Sequence, residues 1–161
     1  MTIEEICQRA FENKYITAKL STTQKDDLIN QAADDLVKNT DQILSANEMD
    51  MKNGKEKGLS QGLLDRLKLT AERIEGVADG MRQVASLPDP VGEVSRMWTR
   101  PNGLRIGKKS VPIGVIGVIY EARPNVTADV FSLCFKTGNT VILRGGSAAA
   151  NTNIAMIDSL H

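Results

Sequence analysis

Residues 111–147 read VPIGVIGVIYEARPNVTADVFSLCFKTGNTVILRGGS, and this stretch decides the fold. The patterns follow one another as apolar run, polar turn, helical repeat, second apolar run and glycine turn. The run at 115–120, VIGVIY, is almost continuously apolar, as a parallel strand covered on both faces requires. Val126, Val130, Leu133 and Cys134 then recur at helical spacing and are expected to face the sheet, with Asn125 or Thr127 as the N-cap. Gly138 suits the left-handed position that closes such a helix. Residues 140–143 form the second strand, which a right-handed crossover lays beside the first. A parallel βαβ unit is the predicted fold element.

Ligands in sheets of this kind bind beyond the carboxyl ends of the strands. Two loops meet that condition: residues 121–125 and residues 144–147. The second, Arg144-Gly145-Gly146-Ser147, leads into a helix expected over 148–160. Its glycines allow close backbone approach, the helix start offers free N–H groups, and Arg144 adds positive charge. That set suits a phosphate or a ribose hydroxyl, although glycine pairs before helices also serve as plain turns. No GxGxxG follows the first strand, so an ordinary dinucleotide pyrophosphate site is not indicated. In the first loop, Arg123 could pair with a carboxylate or phosphate, and Asn125 could donate to an oxyanion. The plainer reading is a solvated Arg and a capping Asn.

Upstream, the pattern is helical. Thr2 with Glu5 and Ser21 with Gln24 form capping boxes, and Ile3, Ile6, Cys7 and Ala10 make one stripe. Leu28, Ala32 and Leu36, with Ile29, Ala33 and Val37, form the inner rows of a second helix. The charged segment 46–58, ANEMDMKNGKEKG, reads as a helix end followed by a loop. Leu63, Leu64 and Leu67 begin a short helix, and Thr70 caps another with the face Ile74, Val77, Ala78, Met81 and Ala85. Pro88 and Pro90 end it. From 92 the period changes to two: Val94, Arg96 and Trp98 alternate with Ser95, Met97 and Thr99, a Pro-Asn-Gly turn follows, and Leu104 and Ile106 mark the return strand. The expected division is a helical region (1–91), a β-hairpin (92–110) and a βαβα unit (111–161), an α/β class.

The chain is 161 residues long, with 20 basic and 20 acidic side chains and 41% hydrophobic residues. No net field recruits nucleic acid or an anionic membrane, and no apolar run spans a bilayer or serves as a secretion signal. A cytoplasmic location is expected. The two cysteines, Cys7 and Cys134, lack metal or redox spacing and are expected to be buried apolar groups. His161, the only histidine, is terminal and a poor candidate catalyst.

Four stretches carry a family resemblance: LSTTQKDDLINQAADDL (20–36), GLLDRLKLTAERIEGVADGMRQVASLPDPVGEV (62–94), RPNGLRIGKKSVPIGVIGVIYEARPNVTADV (100–130) and KTGNTVILRGGSAAANTN (136–153). Together they resemble the N-terminal part of the γ-glutamyl phosphate reductase (glutamate-5-semialdehyde dehydrogenase) family, within the aldehyde dehydrogenase superfamily. The resemblance is to the monofunctional enzyme, not to the form fused to a kinase. It implies an aldehyde-dehydrogenase-like parallel nucleotide-binding sheet, and NADPH-dependent reduction of L-glutamyl 5-phosphate to L-glutamate 5-semialdehyde and phosphate in proline biosynthesis. It further implies that a cysteine thiolate displaces phosphate and that hydride reduces the resulting thioester.

The resemblance places Arg144 where related dehydrogenases carry a lysine on the adenosine ribose. Ser147 falls where NAD-preferring relatives carry a glutamate, so room for a 2′-phosphate implies NADP. Gly145 and Gly146 complete the cofactor set. Asn125 takes the oxyanion role, although the chain reads Glu-Ala-Arg-Pro-Asn where the superfamily has Pro-aromatic-Asn. Arg123 is assigned to the charged substrate. The hairpin is implied to be an oligomerisation arm. The nucleophilic cysteine and the catalytic domain would lie downstream of 161, so this chain alone is expected to be inactive, with an incomplete cofactor-binding domain. A non-catalytic assembly module is the alternative, and a different acyl-phosphate or aldehyde dehydrogenase is a third reading.

Overall fold

The computed structural model describes residues 2–160; His161 lies outside them. Five helices come first: α1 (Ile3–Thr17), α2 (Thr22–Lys38), α3 (Thr40–Glu56), α4 (Gln61–Leu67) and α5 (Ala71–Ser86). The hairpin β1 (Val94–Thr99) and β2 (Arg105–Lys109) follows, then β3 (Val115–Ile119), α6 (Val126–Lys136), β4 (Thr140–Arg144), a short 3-10 turn (Ser147–Ala149) and α7 (Ala150–Ser159). Both capping boxes form, with Thr2 receiving the Glu5 N–H and Ser21 receiving that of Gln24, each at 3.2 Å. Thr70 receives the Arg73 N–H at 3.2 Å. The α5 helix stops at Ser86, ahead of the two prolines.

β3 and β4 pair in parallel, Val115 opposite Thr140 through Ile119 opposite Arg144, with α6 as the crossover. The Tyr120 N–H donates to the Arg144 carbonyl at 3.1 Å and extends the ladder by one residue. Gly138, at φ 73°, closes α6 in the left-handed region as expected. β1 and β2 form a separate antiparallel hairpin, and every residue of β1 is exposed.

Most of the buried apolar cluster lies between helices. Ile29, Ala33 and Leu36 of α2 meet Ile43 of α3, Ile74, Ala78 and Met81 of α5, Ala128 of α6 and Met156 of α7. Full burial of each large aliphatic side chain contributes about 1.5–3 kcal/mol. At the lower edge of this core, the ammonium of Lys25 pairs with Asp89 and donates to the Lys136 carbonyl at 3.0 Å, while Lys136 donates to Asp26 at 2.5 Å and to the Ala85 carbonyl at 2.7 Å. These bonds tie α2 to the end of α5 and to α6.

Several expectations are corrected. Residues 46–58 are not a helix end and loop, because α3 continues to Glu56. Its Ala46, Asn47, Asp50 and Gly54 make a buried stripe, and a Cβ on Gly54 would stand 3.0 Å from Leu59 and 3.1 Å from Leu64. Cys7 is exposed, since only Ala10 of its stripe is buried; Cys134 is buried as expected, and burial pushes its thiol pKa up. Leu28 and Leu133 are exposed, lying at the edges of their helical faces. No residue of β3 is fully buried, and Ile119 is 86% exposed, so this two-stranded sheet is not covered throughout on both faces. Neither Asn125 nor Thr127 caps α6 with its side chain. Asn125 is already in the right-handed helical region, where an N-cap side chain cannot turn back, and Thr127 lies inside the helix.

Candidate functional site

The carboxyl ends of β3 and β4 lie side by side, which brings the loops 121–125 and 144–147 together. Gly146 is the contact point: a Cβ there would stand 3.3–3.4 Å from the backbone of Glu121. A Cβ on Gly145 would collide with the side-chain amide of Asn153 and stand 3.2 Å from the Tyr120 ring. Neither glycine has a positive φ, so close approach is what demands them. The groups they approach belong to the chain itself.

A buried polar relay holds this end of the sheet. The Tyr120 hydroxyl and Thr127 hydroxyl are 2.6 Å apart, and Thr127 also donates to Asn153 Oδ1 at 3.2 Å. The end of β3, α6 and α7 are thereby joined. The start of α7 is not the open anion site expected from the glycine turn. Buried Asp50, from α3, accepts the Thr152 N–H at 2.8 Å, the Thr152 hydroxyl at 2.7 Å, the Asn151 amide at 2.7 Å and the Asn151 N–H at 3.3 Å. A carboxylate in that place already serves the helix dipole and opposes a second anion. Asn47 adds a brace, donating to the Leu67 carbonyl and the Thr152 hydroxyl and receiving the Leu69 N–H.

The side chains at the strand tips remain open to solvent. Arg144 is exposed and donates to the Gly145 carbonyl at 3.0 Å. Ser147 is exposed at the start of the 3-10 turn, and its hydroxyl makes no hydrogen bond with the described residues. Arg123 is likewise exposed and without a side-chain partner among them. Asn125 points elsewhere. Its Nδ2 donates to Asp129 at 3.0 Å, and both line a cleft of about 370 Å³ with Arg66, Lys68, Arg73 and Val77. Burial pushes the Asp129 pKa up, against the hydrogen bond from Asn125. Thus Arg144, Gly145, Gly146 and Ser147 form one surface, and Asn125 faces a second one on the α4–α5 side.

No local sequence pattern marks Arg66, Lys68 or Arg73 as neighbours of Asp129. The i, i+4 spacing of Asn125 and Asp129 on a helix was an available signal. Asp50 sits in the charged 46–58 segment, where nothing local marks it as a partner for the start of a helix about 100 residues later.

No protein-family model matches the chain. It is 53% identical over 153 residues to the γ-glutamyl phosphate reductase of Thermodesulfovibrio yellowstonii, covering 95% of this chain and 37% of that protein. To the reductase of Geobacter metallireducens it is 54% identical over 160 residues, covering 97% and 38%. The chain therefore spans less than two fifths of these relatives, in their N-terminal region. The crystal structure of the Thermotoga maritima γ-glutamyl phosphate reductase superposes with a TM-score of 0.94 at 40% identity, covering 97% of this chain and 38% of that one. The Saccharomyces cerevisiae structure gives 0.93 at 33% identity, covering 99% and 41%. A salicylaldehyde dehydrogenase from Pseudomonas putida G7, at 16% identity and a TM-score of 0.67, shares the fold.

Proposed function

The chain belongs to the γ-glutamyl phosphate reductase family, and on that premise we propose that it serves NADPH-dependent reduction of L-glutamyl 5-phosphate to L-glutamate 5-semialdehyde and phosphate, a step of proline biosynthesis. The observation that carries this reading is the parallel β3–β4 pair, whose two following loops touch at Gly146 and Glu121. Residues 144–147 fit the adenosine end of NADP. Arg144 offers a solvent-facing guanidinium, and Ser147 offers a small hydroxyl where an acidic side chain would repel a 2′-phosphate. The turn binds chiefly through these side chains, because Asp50 holds the N–H groups of Asn151 and Thr152 in the first turn of α7. The nicotinamide supplies hydride when bound. Arg123 addresses the charged substrate from the first loop, and the second Nδ2 hydrogen of Asn125 is available to an oxyanion.

Cys134 is buried and its thiol is pushed toward the neutral form, which disfavours it as a nucleophile. The pure 161-residue chain is accordingly expected to bind nucleotide and show no turnover. The exposed hairpin, carrying Val94, Met97 and Trp98, supports self-association of the protein, and a cytoplasmic setting suits the biosynthetic role. No helix among the described residues is long and apolar enough to cross a membrane.

Fluorescence titration with NADPH and NADH tests the cofactor assignment. NADPH should bind at least about tenfold more tightly, a difference of about 1.4 kcal/mol, and Arg144→Ala should erase that preference. Equal affinity for both nucleotides, or turnover by the chain alone, would contradict the proposal. Absence of any nucleotide binding would favour an assembly module.

A further inference from the structure

The cleft beside Asn125 carries three cations and one carboxylate that do not neutralise one another. Arg66 and Lys68 make no side-chain hydrogen bond or ion pair with the described residues. Arg73 spends one guanidinium nitrogen on the carbonyls of Asp65 at 3.2 Å and Lys68 at 2.5 Å, leaving Nε and the other terminal nitrogen. Asp129 gives one oxygen to Asn125, and its other oxygen has no partner among the described residues. No cation lies within ion-pairing reach of it there. Opposite charges facing one cleft without collapsing onto each other leave room for a ligand that brings both complementary charges.

We propose that this cleft receives the α-amino-acid end of the substrate, with Asp129 taking its ammonium and Arg66, Lys68 and Arg73 surrounding its carboxylate. The proposal rests on the reductase reading above and extends it to substrate orientation. A half-buried carboxylate is costly to leave unpaired, and an ammonium offsets that cost. A guanidinium matches a carboxylate in bidentate geometry. The cleft, at about 370 Å³, has the size of a small-molecule site. Val77 supplies an apolar wall for the methylene chain. Asn125 would join the two ends: one Nδ2 hydrogen is fixed on Asp129, which sets the direction of the amide, and the other points toward the reacting acyl group. Asp129 is then a specificity residue and, through Asn125, a positioning one.

A simple anion site for phosphate is the competing occupant, and the presence of Asp129 disfavours it. The test uses the isotopically labelled 161-residue chain, titrated with L-glutamate, with glutarate, which lacks the ammonium, and with inorganic phosphate, while amide shifts are followed by NMR. L-Glutamate should perturb residues 66–77 and 125–129 and bind at least about tenfold more tightly than glutarate or phosphate. Asp129→Asn should abolish that discrimination, whereas Arg66→Gln should weaken all three ligands. Glutarate or phosphate binding as well as L-glutamate, no change on Asp129→Asn, or no response at tens of millimolar L-glutamate would each overturn the proposal. NADPH titration of the same sample separates the two readings. A nucleotide response without a glutamate response sinks only the cleft assignment; a glutamate response without nucleotide binding sinks the cofactor assignment instead.

Discussion

Replacing Asp50 by alanine should cost this chain a large share of its stability, although Asp50 sits in a stretch that reads as a surface loop. Thr152 is wholly buried, and its N–H and hydroxyl both donate to the same Asp50 oxygen. Deleting that acceptor orphans two buried donors, at about 1–3 kcal/mol each. The Thr152 hydroxyl still receives Asn47, so it stays bonded as an acceptor but loses its own outlet. Asn151 is only half-buried, and water can replace the two bonds that it makes to the other oxygen. Loss of the negative charge at the start of α7 adds about 0.3–1 kcal/mol. The expected total is about 4 kcal/mol, set against the roughly 5–15 kcal/mol that holds a typical domain together.

Urea denaturation followed by circular dichroism reads this directly, as a lower midpoint at constant slope. Thermal unfolding should fall by about 8–16 °C at about 2–4 °C per kcal/mol for a chain of this length. Asp50→Asn keeps one acceptor but turns an amide N–H₂ toward donors, so about half the loss should remain. Asp34→Ala is the control: its exposed pair with Arg82 should be worth less than about 1 kcal/mol. If Asp50→Ala cost under about 1 kcal/mol at unchanged slope, solvent rather than this carboxylate would be satisfying α7, and the helix start would be open to a ligand after all.

Two further outcomes follow from the same geometry. Gly146→Ala should push the two strand-tip loops apart, costing about 1–3 kcal/mol and weakening NADPH binding in fluorescence titration, because the new Cβ meets the Glu121 backbone at 3.3 Å. Asp89 is pushed up by burial, but its hydrogen bonds from Lys25, the Val91 N–H and Thr22 prevail and hold its pKa below the ordinary value. Its pairing therefore stabilises the fold above the unfolded pKa of about 3.9 and is lost as pH falls through the lower folded value. Asp89→Asn should flatten the stability profile in that acid window when denaturation midpoints are compared from pH 5 to pH 2; an unchanged slope would remove the pair from the account.

The sequence made the local rules visible and left the long-range ones hidden. Capping boxes at Thr2 and Ser21, the Thr70 cap and the Gly138 C-cap depend on neighbours three or four residues apart, and all four form. The parallel pairing was also legible, because two apolar runs around one helix admit few alternatives. Segment 46–58 misled because its buried face is polar: Asn47 and Asp50 look like solvent residues until α4, α5 and α7 supply their partners. Cys7 misled for the converse reason, since a stripe of apolar residues says nothing about whether another element covers it. At the candidate site, the placement of Arg144 at the end of β4 and of Ser147 just after it was legible, while the role given to them is a proposal. The cleft was not, because Arg66, Lys68 and Arg73 precede Asn125 by more than 50 residues and meet it only through packing of α5 on α6.

The first turns of α6 therefore connect two surfaces that the sequence presents as one motif. Thr127, on the inner side, is bonded to Tyr120 at the end of β3 and to Asn153 on α7, the residue against which Gly145 is packed. Asn125 and Asp129, on the outer side, face the basic cleft. A shift of α6 that opened the cleft would pull on the Tyr120–Thr127–Asn153 relay and so on the turn beneath Arg144. Thr127 and Asn153 are buried and hydrogen-bonded, so displacing the relay there leaves a desolvated polar group and is resisted. Under the reductase reading proposed above, such rigid coupling would suit a reaction whose donor and acceptor must meet within a narrow distance. The relay accordingly fixes the distance between strand tips and cleft, and specificity can reside in Asp129 and the cations without disturbing it.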